Sequence, residues 1–314
     1  MQKKRQHVIP NCYLKAWCDP VNPPGHSPSI WRISKDGSRK KRKSPEKSFT
    51  STDRYTITLP NGERSLALED TLSALEGQFT AVLKRVRRRE DLTAVDRARL
   101  CLFAAAMHSR TMAQGEHWRG EMERFHNQVE AMEQAHGIAP KESLVAAEMV
   151  RTAHTDIVMM SIRHETPLLF QMNMSVVITD DETGFITSDI PCIWQNPKLH
   201  TFPPFYRHPG LAQKDIEVSL PLTPQHMLLI SHHNLAMYTY ANSKVVQEVN
   251  RTMRFSCREE FISWKGIVAP FWFTEREMPE DAWEKTAEGK AAMAEAEERN
   301  AAQDAVQSDK TEGA

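Results

Sequence analysis

Apolar residues recur through the first half of the chain at helical spacing. Leu68, Leu72, Leu75, Phe79, Val82, Leu83 and Val86 stand at i, i+3, i+4 and i+7. That spacing predicts one amphipathic helix with a single buried face. Arg85 and the run Arg87-Arg88-Arg89 close it, where positive charge suits the C-terminal end of the helix dipole. Thr93 followed three residues later by Asp96 reads as a capping box, so a second helix starts there. Its apolar face is Leu100, Phe103, Ala104 and Met107. The pattern then runs polar to Gly137, with Gly115 and Gly120 as candidate breaks. Residues 141–165 read as a third helix that ends before Pro167.

Strand patterns flank this helical block. Ile30 to Ile33 is a candidate strand closed by Lys35-Asp36-Gly37 in turn chemistry, and Tyr55 to Leu59 is another. In the second half, Leu168 to Thr179, Phe185 to Thr187, Ile216 to Leu222, Met227 to Ser231 and Phe261 to Trp264 read as strands. Ser243 to Met253 reads as a helix. The predicted fold class is α+β, a mainly antiparallel sheet packed against a helical layer of about residues 66–165. One domain is expected over 1–275. An Ala/Glu-rich peripheral helix (Ala282 to Ala305) and a disordered acidic end are expected over 276–314.

The most distinctive stretch is His7-Val8-Ile9-Pro10-Asn11-Cys12-Tyr13-Leu14-Lys15-Ala16-Trp17. Pro10 pushes Ile9 towards an extended conformation. Tyr13, Leu14 and Trp17 then recur at helical spacing. Buried turns there would pin the N-terminal segment to the body and hold His7 at its edge. Such a histidine serves as a general base, a metal ligand or a phosphate donor, or it caps a neighbouring carbonyl.

The His-x-x-Pro-x-x-Tyr-Leu-x-x-aromatic opening resembles the start of the bacterial and fungal family catalogued as domain of unknown function 4238. Later stretches agree in order: Leu68-Glu69-Asp70 with Leu75-Glu76, Arg110-Thr111, Thr187-Ser188-Asp189-Ile190-Pro191 and Pro221-Leu222-Thr223-Pro224. The resemblance spans about residues 5–265. It departs at Val8, where the family usually has an aromatic, and at Trp17, where it usually has Phe. It implies a domain and brings no activity with it.

Composition adds an asymmetry. Net charge is −1 over 314 residues, which gives no global case for nucleic acid. Yet the first 54 residues carry 13 Lys and Arg against 4 Asp and Glu, and the last 40 carry 12 acidic against 5 basic residues. The run Arg39-Lys40-Lys41-Arg42-Lys43 reads as a solvated loop or as a phosphate contact. Five scattered cysteines have no zinc-finger spacing and suggest reduced thiols, hence a cytoplasmic location. No stretch approaches the ~18 apolar residues of a membrane span, and no membrane partner is expected. There is no Walker loop, dinucleotide fingerprint, Gly-x-Ser-x-Gly elbow or His-Glu-x-x-His. That argues against nucleotide-dependent kinases, Rossmann oxidoreductases, serine hydrolases of that type and zincins.

Four charged or ionisable residues on separate segments, His7, Glu76, Arg110 and Asp189, are the candidate catalytic set, and they fall in the stretches that carry the resemblance. Two readings stand side by side. In the first the chain is a metal-assisted phosphodiesterase or nuclease. Glu76 and Asp189 hold a divalent cation, His7 is the general base and Arg110 stabilises the developing charge. Tyr13 and Ser188 contact the substrate, and the basic N-terminal third guides nucleic acid. In the second the chain is a non-catalytic binding or regulatory module, and the same residues form a polar network that fixes the fold. Arg110 and His117 also meet the loose spacing of the helical HEPN ribonucleases, a weak signal in a chain with thirteen histidines and several strands.

Overall fold

A computed structural model describes residues 5–21, 25–59, 61–275 and 282–295. The fold is α+β, with helices and mainly antiparallel sheets. The chain divides into two compact units, Met1–Ile193 with Glu217–Thr274, and Trp194–Ile216 with Glu275–Ala314.

The first unit opens with β1 (Arg5–His7), a short α1 (Asn11–Leu14), β2 (Ile30–Ser34), β3 (Lys40–Lys43), β4 (Thr50–Thr52), β5 (Ile57–Thr58) and β6 (Arg64–Ser65). Four long helices follow: α2 (Ala67–Arg87), α3 (Ala94–Ser109), α4 (Met112–Ala135) and α5 (Glu142–Gln171). All seven apolar residues of the predicted α2 stripe are buried. The capping box at Thr93 is formed, with Asp96 N–H donating to Thr93 Oγ1 at 3.2 Å and Thr93 N–H to Asp96 Oδ2 at 3.0 Å. None of the helices among the described residues is long and apolar enough to cross a membrane.

Four expectations from the pattern are corrected. Gly115 and Gly120 do not break α4, which runs unbroken from Met112 to Ala135, and the strand expected from Leu168 starts only at Asn173. The third helix does not stop before Pro167 but runs through it to Gln171. Proline removes one intrahelical hydrogen bond, yet Leu169, fully buried beyond it, keeps the last turn docked. The basic run is not a loop: Lys40–Lys43 forms the edge strand β3, paired antiparallel with β2 from Ile33↔Lys40 to Ile30↔Lys43. Lysines on an edge strand discourage pairing with another chain.

After the helices come β7 (Asn173–Ile178), β8 (Thr187–Ser188), β9 (Ile193–Gln195), β10 (Glu217–Thr223), β11 (His226–Ser231), β12 (Tyr238–Tyr240), α6 (Ser243–Ser256) and β13 (Glu260–Ser263). In one sheet β12, β7, β11 and β10 lie in that order. Only β12 runs parallel to its neighbour β7. In the other the order is β3-β2-β13-β8, all antiparallel. Buried Asn250 of α6 joins the parts: its Nδ2 donates to Gly184 C=O at 2.8 Å, and its Oδ1 accepts from Ile186 N–H at 2.9 Å.

The N-terminal stretch ties helices to sheets. Phe79 of α2 and Phe103 of α3 stack with ring centroids 3.7 Å apart. Tyr13 leans on both, at 6.4 and 6.1 Å, and on Trp17 at 4.7 Å. The Tyr13 hydroxyl donates to Pro221 C=O at 2.7 Å and lies 2.6 Å from Thr187 Oγ1, while Trp17 Nε1–H donates to Phe185 C=O at 3.1 Å.

Within the second unit, Asn196 Nδ2 donates to Gln213 Oε1 at 2.9 Å and Lys198 pairs with Asp215 at 3.0 Å. Residues 287–295 are helical. The remainder of the expected acidic end, 276–281 and 296–314, lies outside the described residues.

His226 on β11 predicts acid sensitivity. Burial, with Arg87 and Arg89 adding to it, lowers its pKa from 6.5 to about 4. The unfolded chain therefore binds the proton first. The stability His226 contributes is complete above about pH 6.5 and is lost as the pH falls through about 4. At 1.36 kcal/mol per pH unit that loss amounts to about 3 kcal/mol. Urea unfolding at pH 7, 5.5 and 4 checks it: His226→Asn should flatten the wild-type decline.

Candidate functional site

Three of the four sequence-selected residues meet. β1 pairs with β4 through His7↔Thr50, which fixes His7 at the start of the first turn. Glu76 projects from the flank of α2, seven residues after Glu69. Arg110 is the C-cap residue of α3 and points inward, 2% exposed. Its guanidinium is held by Glu76 Oε1 at 2.9 Å, by the backbone C=O of His7 at 2.5 Å and by the Tyr55 hydroxyl at 3.3 Å. Gln6 extends the network: its Nε2 donates to Glu69 Oε2 at 2.6 Å, and its Oε1 accepts from Tyr55 N–H at 2.6 Å.

These groups border a cavity of about 320 Å³ whose polar lining includes His7, Asn11, Glu69, Glu76 and Arg110. Two polar atoms of its lining residues, His7 Nε2 and Asn11 Oδ1, are buried without a hydrogen bond of ordinary geometry among the described residues, the His7 ring lying against the backbone of Pro45 and Glu46. Such atoms are uncommon and call for a water, an ion or a ligand. Burial lowers the pKa of His7, and Arg110 adds to this against the opposing pull of Glu76. Its imidazole is therefore neutral at pH 7 and can accept a proton. Cys12, with its Sγ 4.0 Å from Glu76 Oε2, has its pKa pushed up to about 11 by burial and by that carboxylate. It is a thiol, not a nucleophilic thiolate.

A larger cavity of about 940 Å³ lies alongside, lined by Lys15, Arg42, Lys43 and Lys47 among others. Asn11 lines both. Burial and then the neighbouring charges of Arg32 and Lys41 lower the Lys43 pKa. An anion in this groove would relieve that repulsion.

Asp189 does not join the set. It lines a separate cavity of about 270 Å³ with Arg32 and Arg258. Its carboxylate accepts from three backbone N–H groups: Arg258 at 2.9 Å, Glu259 at 2.7 Å and Glu260 at 3.2 Å. Burial raises its pKa against those bonds. The expected Glu76–Asp189 metal pair is therefore not assembled, because the turn before β13 takes up the Asp189 oxygens. Among the described residues no group of three or more His, Cys, Asp or Glu could hold a metal. Ser188 is buried and bonds Ile190 in a local turn. Tyr13 is likewise enclosed in the core and lines neither the small cavity nor the basic groove. His117 stands on α4, its side chain 66% exposed, beyond the break that ends α3 at Arg110.

Replacing Asp189 with Ala strips three backbone donors of one acceptor. It should destabilise the fold by about 2–3 kcal/mol, read as a lower urea midpoint, and leave the His7 pocket intact.

Sequence reasoning passed over Gln6, Asn11 and Tyr55 as site residues. The only available signal was their proximity to His7 or to a strand start. Glu69 was visible as a carboxylate one heptad before Glu76.

A family model described as protein of unknown function (DUF4238) matches residues 5–265. Neither the curated proteins nor the solved structures contain a match to the chain.

Proposed function

From a chain that belongs to this family of unknown function, with the whole pocket inside the matched residues, we propose a hydrolase that cleaves phosphodiesters of nucleic acid. The observation that carries it is the pair of buried atoms without a hydrogen bond of ordinary geometry, His7 Nε2 and Asn11 Oδ1, beside a carboxylate and a buried arginine. The basic groove that shares Asn11 would hold the strand by its phosphates. His7, held neutral by burial, takes a proton from the attacking water. Asn11 orients that water. Arg110 holds Glu76 in place through their 2.9 Å ion pair, and its positive charge favours the phosphorane that forms. The departing oxygen takes its proton from solvent in the groove.

The test is an assay of the purified chain on RNA, single-stranded DNA and duplex DNA, with Mg²⁺, with Mn²⁺ and with chelator. Cleavage that disappears in folded His7→Ala supports the reading, and cleavage that needs the ion adds a cation to it. Loss in an Asp189→Ala protein shown to be folded at the assay temperature would restore Asp189 to the site. Absence of cleavage under every condition overturns the proposal.

One observation favours a second reading, a non-catalytic binding module: the Arg110 guanidinium is engaged by three internal acceptors, as in a structural network. In that case the groove alone acts. Lys15→Ala, Lys43→Ala and Lys47→Ala would each weaken RNA binding and reduce the salt slope by about 1 per lost phosphate contact, with no turnover to lose.

A further inference from the structure

The outward face of α5 carries a second apolar stripe that its core contacts do not use. Val145, Met149, Met159 and Phe170 are 57%, 40%, 44% and 39% exposed. With Thr152, Asp156, Arg163 and Thr166 they alternate at spacings of four and three, the repeat of a helix that packs on another helix. The buried face of the same helix lies elsewhere, at Ala146, Ala153, Val158, Ser161 and Leu169. A cavity of about 520 Å³ opens on this side between α4 and α5, walled by Trp118, Met122 and Met149 together with Met159 and Met160.

Two charges interrupt the stripe. The Asp156 carboxylate accepts from Thr152 on its own helix at 2.5 Å. The Arg163 guanidinium makes no ion pair among the described residues. The charges stand symmetrically about the point between Met159 and Met160. If α5 meets a second α5 running the opposite way across that point, Asp156 of each faces Arg163 of the other. Met149 then faces Phe170, and the Met159–Met160 pairs fill the centre. A helix of 30 residues spans about 45 Å, long enough to support an interface of about 800 Å² per partner. A C2 contact requires a self-complementary patch, and in this register two pairs of the stripe meet across the axis, Asp156 with Arg163 and Met149 with Phe170.

We infer that the exposed face of α5 is a homodimer interface, its occupant a second copy of this chain packed antiparallel with Asp156 against Arg163. Light scattering after size exclusion, with sedimentation equilibrium for the Kd, tests it on the full chain. The wild type should have twice the monomer mass. Asp156→Arg and Arg163→Asp should each raise Kd at least tenfold by setting like charges together, and the double swap should return Kd to within about threefold of wild type. Both positions are at the surface, and circular dichroism would verify that each variant folds. A monomer at 100 µM wild type overturns the inference and leaves the face to a different partner. So does a dimer indifferent to the single swaps, or a double swap no tighter than the singles. Phosphodiester cleavage plays no part in the readout, so this inference stands or falls apart from the proposed activity.

Discussion

Arg110→Met should destabilise the fold by about 3–5 kcal/mol, the range for breaking a buried ion pair by removing one partner. The side chain fits the space but not the bonding. Glu76 keeps its negative charge, the His7 carbonyl loses its donor and the Tyr55 hydroxyl loses another. Glu76 is 23% exposed, so solvent relieves part of the penalty and the lower end of the range is the expected result. The partner change sharpens the test. In Arg110→Met/Glu76→Gln no charge is left stranded, so the double variant should be more stable than Arg110→Met alone. That sign of coupling is what two groups in one network give. Urea denaturation of the four proteins, read as midpoint at constant slope, measures it. Equal losses in the single and double variants would mean that Arg110 contributes packing alone.

His7→Gln should lower cleavage by about 10²–10⁴, the usual contribution of a positioned general base, while leaving nucleic-acid affinity in the groove near wild type. Glutamine fills similar space and has no titrating nitrogen. The pH dependence carries a second signature. Burial already holds the His7 pKa below 6.5 against the opposing pull of Glu76. The rate should therefore fall only below that value. In Glu76→Gln the pull is gone and the acid limb should move to still lower pH. A rate profile unmoved by Glu76→Gln would remove His7 as the base. Asp189→Asn, in its separate cavity, is the control and should leave the profile unchanged.

The elements that sequence made legible are those whose signal is local. The α2 stripe and the Thr93–Asp96 box depend on spacing along one helix, and the structure has both. Where long-range contacts decide, local signals misled. Pro167 normally stops a helix, and the burial of Leu169 overrides it. Lys40–Lys43 has poor strand chemistry, and pairing with β2 makes it a strand regardless. The site divides the same way. A charged residue on the flank of a core helix has to find a partner, which made Glu76 and Arg110 readable. Nothing in the sequence around Asp189 says that three amides seventy residues later will occupy it. Neutral amides such as Gln6 and Asn11 carry no signal beyond their nearness to His7.

The docking of Tyr13 has a consequence for synthesis. Its hydroxyl is bonded to Thr187 and Pro221, 174 and 208 residues further on. At about 5–20 residues per second a ribosome needs roughly 10–40 s to cover that distance. For that interval Tyr13, Leu14 and Trp17, all buried in the finished fold, lack the C-terminal sheet they close on, although β1 can already pair with β4. The α2–α3 pair can assemble meanwhile, since Phe79 and Phe103 are close in sequence. Tyr13 can lean on that pair at once, but its hydroxyl and the Trp17 indole lack their final acceptors until Phe185 and Pro221 have been made, so the N-terminal stretch is locked last although it is synthesised first.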